Sequence, residues 1–306
     1  MSTTIATFSC EREIEHDLGP QALLSALEAD GSLFQPEQLR NRLIALDNLD
    51  AGFGSLDSED STRSTDSRIH QRAMALRTRL EAANAELYQS VRSQIVSGRQ
   101  PRALLHWLQD STSRNESKSP SPGLGFDWRD DLLSGVLQLH EPGEPDLQLS
   151  PEMVFYQPTP VRHILHLIAA NALAEDDVFV DLGSGLGHVP LLVSMLTGAR
   201  SLGIEVQAAY VASAWECALS LHLSRVRFIP QDAREADLSR GTVFYLYSPF
   251  RGSILTDVLS ALRMEGARRS IKICSLGPCT RTVANERWLK ASAVPDTGRI
   301  TVFDSQ

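Results

Sequence analysis

The stretch that most constrains this chain runs from Asp177 to Glu205, DVFVDLGSGLGHVPLLVSMLTGARSLGIE. It opens on the apolar run Val178–Leu182, the composition of a strand buried on both faces. Gly183, Gly185 and Gly187 follow at close spacing. A helical run begins at His188, with Pro190 in its first turn, where a missing N–H costs nothing. A short strand, 201–204, then ends in Glu205. Strand, glycine turn, helix, strand and acid together predict a βαβ unit that holds a nucleoside. The glycines allow a ligand close to the backbone. Unpaired N–H groups stand at the helix start. Glu205, 24 positions after Asp181, can accept both ribose hydroxyls.

A dinucleotide fingerprint spaces its glycines G-x-G-x-x-G. Here the spacing is G-x-G-x-G, with Asp181 two residues before the first glycine. This variant resembles motif I of the class I S-adenosylmethionine (SAM) methyltransferases. That resemblance implies SAM as cofactor, with Asp181 near its methionine part and Gly183, Ser184, Gly185, Gly187 and Glu205 around it. An acid after the third strand often holds the adenine amino group in that class. Asp232, followed by Ala233, stands at that place.

The rest of the chain gives the organisation. Its 306 residues and net charge of −9 fit one large or two smaller globular domains and argue against a dedicated nucleic-acid binder. No apolar run reaches the ~20 residues of a bilayer span, and the acidic N-terminus lacks a signal-peptide core. A cytoplasmic protein is expected. The four cysteines form no CxxC pair and read as free thiols, with no metal site.

Residues 1–110 read as an all-helical region. Leu39, Leu43 and Leu46 mark one helix face. Ile69, Ala73, Leu76, Leu80, Ala83, Leu87 and Val91 recur at alternating four and three within a helix over 67–97. That seam predicts packing on the neighbouring helices, with pairing of two copies as the alternative. The Ser-, Pro- and charge-rich segment 111–123 reads as a flexible linker. Residues 124–306 then form the catalytic domain. Asp130 and Asp131 stand at a helix start, where acids ordinarily serve the helix dipole.

Tyr156-Gln-Pro-Thr159-Pro precedes the first strand. Two prolines stiffen a loop bearing an aromatic and a hydroxyl, which predicts a lid over the cofactor. Thr159 also reads as N-cap of the following helix, with Pro160 at its first position. Further strands are expected at 226–229, 242–247 and 270–275, and 299–303 suggests a last antiparallel pair. The fold class is α/β: a Rossmann-like class I methyltransferase sheet with helices on both faces, after the helical N-terminal region.

The Tyr-x-x-Thr loop, its interval to motif I, and Glu205 together resemble the non-SET histone lysine methyltransferases (the disruptor-of-telomeric-silencing family). That family carries an asparagine pair near the end of strand 4. Here Leu246 and Tyr247 stand there, followed by Ser248-Pro249-Phe250, closer to the Asn-Pro-Pro-Tyr motif IV of amino-methylating enzymes. The resemblance implies Tyr247, Ser248, Pro249 and Phe250 as the acceptor pocket, with Tyr156 closing it. The expected reaction is methyl transfer from SAM to a protein lysine or another amine. The acceptor, protein or small molecule, stays open. An inactive Rossmann-like scaffold and a nucleotide-dependent oxidoreductase are the alternatives.

Overall fold

The computed structural model describes residues 19–54, 64–98, 102–108, 125–142, 151–154 and 156–306. The linker segment 111–123 and Cys10 lie outside these residues. The chain packs as two units. One holds the described residues up to Ser93 together with Phe126–Val136; the other holds those from Gln94 to Gly125 and from Leu137 to Gln306. The sequence reading placed everything from 124 onward in the catalytic domain. Packing groups Phe126–Val136 with the helices instead.

The first unit contains α1 (Pro20–Ala29), α2 (Leu39–Phe53), most of α3 (Ser64–Val96) and most of α5 (Trp128–Leu137). The seam of α3 supplies Ala73, Leu76 and Leu80 to a buried cluster with Leu24, Leu33, Ala45 and Leu49. These seam positions are thus covered within the chain. On α2 the buried face is Leu39, Arg42, Ala45 and Leu49, turned from the Leu39–Leu43–Leu46 face expected. The reason is Arg42, which is fully buried. Its Nε donates to Asn84 Oδ1 at 2.6 Å, and its Nη1 donates to the carbonyls of Leu33 at 2.8 Å and Gln35 at 2.5 Å.

The second unit is built on a seven-stranded sheet in the order β3-β2-β1-β4-β5-β7-β6. The strands are β1 (Val178–Leu182), β2 (Arg200–Glu205), β3 (Val226–Pro230), β4 (Val243–Tyr247), β5 (Lys272–Leu276), β6 (Leu289–Ala291) and β7 (Thr301–Ser305). Strands β1 to β5 are parallel; β7 runs antiparallel to both β5 and β6. The helices are α4 (Arg102–Leu108), α6 (Val161–Asn171), α7 (His188–Thr197), α8 (Ala208–Ser220), α9 (Gly252–Gly266) and α10 (Cys279–Val283). The near-continuous apolar composition of β1 and β4 fits strands covered on both faces.

Alternation divides those faces. Val180, Leu182, Phe244 and Leu246 join Ile254, Leu255, Val258 and Leu259 of α9 in one core. Opposite, Phe179 stacks near Tyr245 with ring centroids 6.4 Å apart, and Asn171 of α6 donates to Cys274 Sγ at 3.2 Å. Strand order reverses between β1 and β4, the place where open α/β sheets leave a crevice beyond their C-terminal ends. Among the described residues, no helix is long and apolar enough to cross a membrane.

Candidate active site

The crevice is a cavity of about 790 Å³, within the size range of small-molecule sites. Tyr156, Thr159, Asp181, Gly183, Ser184, Glu205, Asp232 and Ala233 line it, and so do Tyr247, Ser248, Pro249 and Phe250. Residues dispersed over almost a hundred positions are therefore brought to one wall set by the ends of β1 to β5. Gly185 and Gly187 belong to the same turn, though they do not line the cavity.

The glycine turn is held from two sides. Glu205 is buried, and its Oε2 accepts from the backbone N–H of Gly185 at 2.9 Å while Oε1 accepts from that of Gln207 at 2.9 Å. Gly185 has φ +51, and a Cβ built there would lie 2.1 Å from the Tyr156 ring. The sequence reading assigned this glycine to ligand approach. What stands against it is a side chain of the protein itself. The Tyr156 hydroxyl shares a 2.7 Å hydrogen bond with His188 Nδ1, and its ring lies 5.5 Å from that of Tyr210. Tyr156 thus packs on the turn as part of the cavity wall.

Thr159 does not cap α6. The N-cap is Pro160, with no side-chain hydrogen bond. The Thr159 hydroxyl instead pairs with that of Tyr245 at 3.0 Å, which fastens the loop to β4. Asp232 accepts from the backbone N–H of Arg234 at 2.9 Å and from its Nη2 at 2.7 Å. That guanidinium holds the Asp232 carboxyl below its ordinary pKa.

The electrostatics of the cavity are specific. Burial, reinforced by the nearby Glu205 carboxylate, raises the Asp181 pKa well above the carboxylate range. Burial pushes the His188 imidazole down to about 4, leaving it neutral. Among the described residues, three polar atoms on the cavity wall are buried without a partner: Ser184 Oγ, Gln207 Oε1 and Tyr247 Oη. Gln207 escaped the sequence reading. Its signal was present, as a polar residue two positions beyond the acid that ends β2.

These features test the cofactor directly. The neighbouring acids Asp181 and Glu205 favour a ligand that brings positive charge, and SAM carries a sulfonium and an ammonium. A dinucleotide's pyrophosphate would meet the same acids unfavourably. The orphaned Ser184 and Gln207 atoms offer hydrogen bonds at the β1 and β2 ends. The residues present fit SAM.

The parallel sheet, its glycine turn after β1 and the acid closing β2 define a Rossmann-like, SAM-dependent methyltransferase. Residues 153–245 match the family described as "Histone methylation protein DOT1", and the chain is related to that family. The match ends at Tyr245, before the 247–250 segment. No curated protein matches the sequence significantly. Among solved structures, an RNA methyltransferase from Salinibacter ruber in complex with S-adenosyl-L-homocysteine is 26% identical, at a TM-score of 0.40, over 49% of this chain and 92% of its own. Putative methyltransferase yhhF from Escherichia coli is 16% identical at 0.39, covering 47% and 86%. The precorrin-6y C5,15-methyltransferase of Geobacter metallireducens is 15% identical at 0.39, covering 50% and 91%. At such scores these are likenesses only.

Proposed function

We propose that this methyltransferase acts on a neutral amino group, of a protein lysine or of another amine, with SAM held across the β1–β4 crevice. The observation that carries the cofactor half is the pair of acids, Asp181 and Glu205, on one cavity. Glu205 would accept the ribose hydroxyls while keeping Gly185 and Gln207 in place. Ser184 and the glycine turn would face the methionine part, with Asp181 near its ammonium. Asp232 and Ala233 would border the adenine. Tyr156 and Thr159 would form the wall that excludes water.

When bound, SAM would supply an electrophilic methyl group to the acceptor nitrogen, at the cavity end that Tyr247, Ser248, Pro249 and Phe250 line. The protein's share is alignment and dryness. Neutral His188, tied to Tyr156, is too weak a base near pKa 4 to deprotonate an ammonium, so the amine must arrive uncharged. The amino-group reading draws support from the Ser-Pro-Phe segment after β4 and from the relation to the DOT1 family.

The test has two stages. SAM and S-adenosylhomocysteine should raise the unfolding temperature. Saturation at a hundredfold excess over Kd contributes ~2.7 kcal/mol. A shift with NAD and none with either SAM species would overturn the cofactor. Methyl-labelled SAM incubated with whole-cell lysate then reports by size fraction whether protein or small molecules take the label. Label that survives only on oxygen or carbon would remove the amine.

A further inference from the structure

Two adjacent hydroxyls, Tyr247 and Ser248, close β4 and line the cavity, and either is chemically able to meet an acceptor. Their surroundings separate them. Ser248 sits at φ +43, in the left-handed region that non-glycine residues enter at a cost. Its Oγ donates to the Leu276 carbonyl at 3.1 Å and accepts from the Cys279 backbone N–H at 3.0 Å. A hydroxyl has a single proton, and that proton is spent on Leu276. The fit is close from the far side too: a Cβ on Gly277, itself at φ +80, would lie 2.7 Å from Ser248 Oγ. Ser248 is a strut between the end of β4 and the β5–α10 turn.

Tyr247 is the converse. Its hydroxyl is buried and has no partner among the described residues. Leaving a buried hydroxyl unpaired costs stability in the free protein, and a ligand in the cavity can recover that cost. Among the described residues, Pro249, Phe250, Pro278, Cys279 and Thr282, which line the cavity with Tyr247, bring no carboxylate to hold an ammonium. Burial also keeps the phenol above its ordinary pKa, so it remains a neutral hydroxyl.

We infer that Tyr247, and not Ser248, positions the acceptor: its phenol oxygen accepts an N–H of a neutral amino group and leaves the nitrogen lone pair free. This rests on the methyltransferase reading above and moves the acceptor contact one residue away from the serine that motif IV suggests.

Tyr247→Phe and Ser248→Ala separate the two roles through melting temperature, SAM affinity by calorimetry, and label transfer from methyl-labelled SAM to whole-cell lysate. Tyr247→Phe should melt at or above the wild-type temperature, bind SAM within about twofold of wild type, and lose transfer at least tenfold. Ser248→Ala should melt about 2–4 °C lower, or fail to fold, and where folded should keep transfer within about threefold. A lowered melting temperature for Tyr247→Phe would show an internal partner for its hydroxyl and overturn the inference. So would wild-type transfer by Tyr247→Phe. If wild-type protein binds SAM yet labels nothing, the melting temperature of Tyr247→Phe decides alone. If wild type does not bind SAM, the underlying reading fails instead.

Discussion

Arg42 in the helical unit and Tyr247 in the sheet unit both carry polar atoms out of water, and their surroundings answer them differently. Arg42 spends its Nε on Asn84 and its Nη1 on two carbonyls. Among the described residues only Nη2 finds no partner. Around the crevice, Ser184 Oγ, Gln207 Oε1 and Tyr247 Oη are all left over, and all border one cavity. Buried polar groups are normally paired. Where the chain itself supplies the partner, the group builds structure. Where several stand open on one space, the partner comes from outside.

Substituting Arg42 breaks the structural side of this contrast. Arg42→Met keeps an unbranched apolar stem but strips Asn84 Oδ1 and the Leu33 carbonyl of their buried donor. Expected is a loss of about 3 kcal/mol in denaturant unfolding of the helical unit. SAM affinity of the folded fraction should not change. An affinity that falls with it would show that the helical unit contributes to the cofactor site.

Glu205 belongs to both sides, since it caps two backbone N–H groups and faces the cavity. The sequence assigns Glu205 to the ribose hydroxyls alone; the bonds to Gly185 and Gln207 add a structural role. Glu205→Gln should weaken SAM binding by roughly 1.5–3 kcal/mol and also cost about 1 kcal/mol of stability without ligand. Calorimetry and melting together read the two. Lost stability with intact affinity would make Glu205 purely structural.

The Asp181 pKa gives a pH signature. It is raised in the folded state, so the folded protein holds a proton that the unfolded chain releases near pH 4. Its contribution to stability is therefore fully present below that pH. It is lost as pH rises toward the folded value. A cationic ligand reverses the preference and expels the proton. SAM affinity should then strengthen as pH rises through this window, and binding heats should differ between buffers of different ionisation enthalpy. Asp181→Asn should flatten both slopes. Equal heats in every buffer would mean that the carboxylate is already ionised.

The smallest effect is expected at Asp232. Its carboxylate already holds Arg234 at the exposed edge of the site, so Asp232→Asn should change SAM affinity by under about 1 kcal/mol. A larger loss would indicate a direct, desolvated contact with the adenine.

Much of the sheet was legible in the sequence because β1 and the turn after it carry local signals: an apolar run, spaced glycines and an acid at a fixed interval. The α3 seam was legible for the same reason, as a repeat. What was hidden depends on contacts made across long sequence separations. Thr159 looked like a cap because caps are local, yet its hydroxyl is taken by Tyr245, 86 residues away. Ser248 looked like an acceptor contact because its neighbours resemble a motif, yet Leu276 and Cys279 use its hydroxyl. The α2 face was misjudged because charged residues are rarely fully buried. Arg42 nonetheless lies three residues from both Leu39 and Ala45 on the buried face, and that spacing was the available signal.

The ring of Tyr156 against Gly185 has a consequence for how such a chain can diverge. With the ring in place, any side chain at 185 collides with it, in a backbone conformation already unkind to one. With the ring gone, the collision disappears and only the conformational strain remains, about 1–2 kcal/mol. Substitution at 156 is therefore open at any time, whereas substitution at 185 waits for it. Drift through this pair runs in one order, and a lineage that has filled position 185 cannot regain the tyrosine without first emptying it.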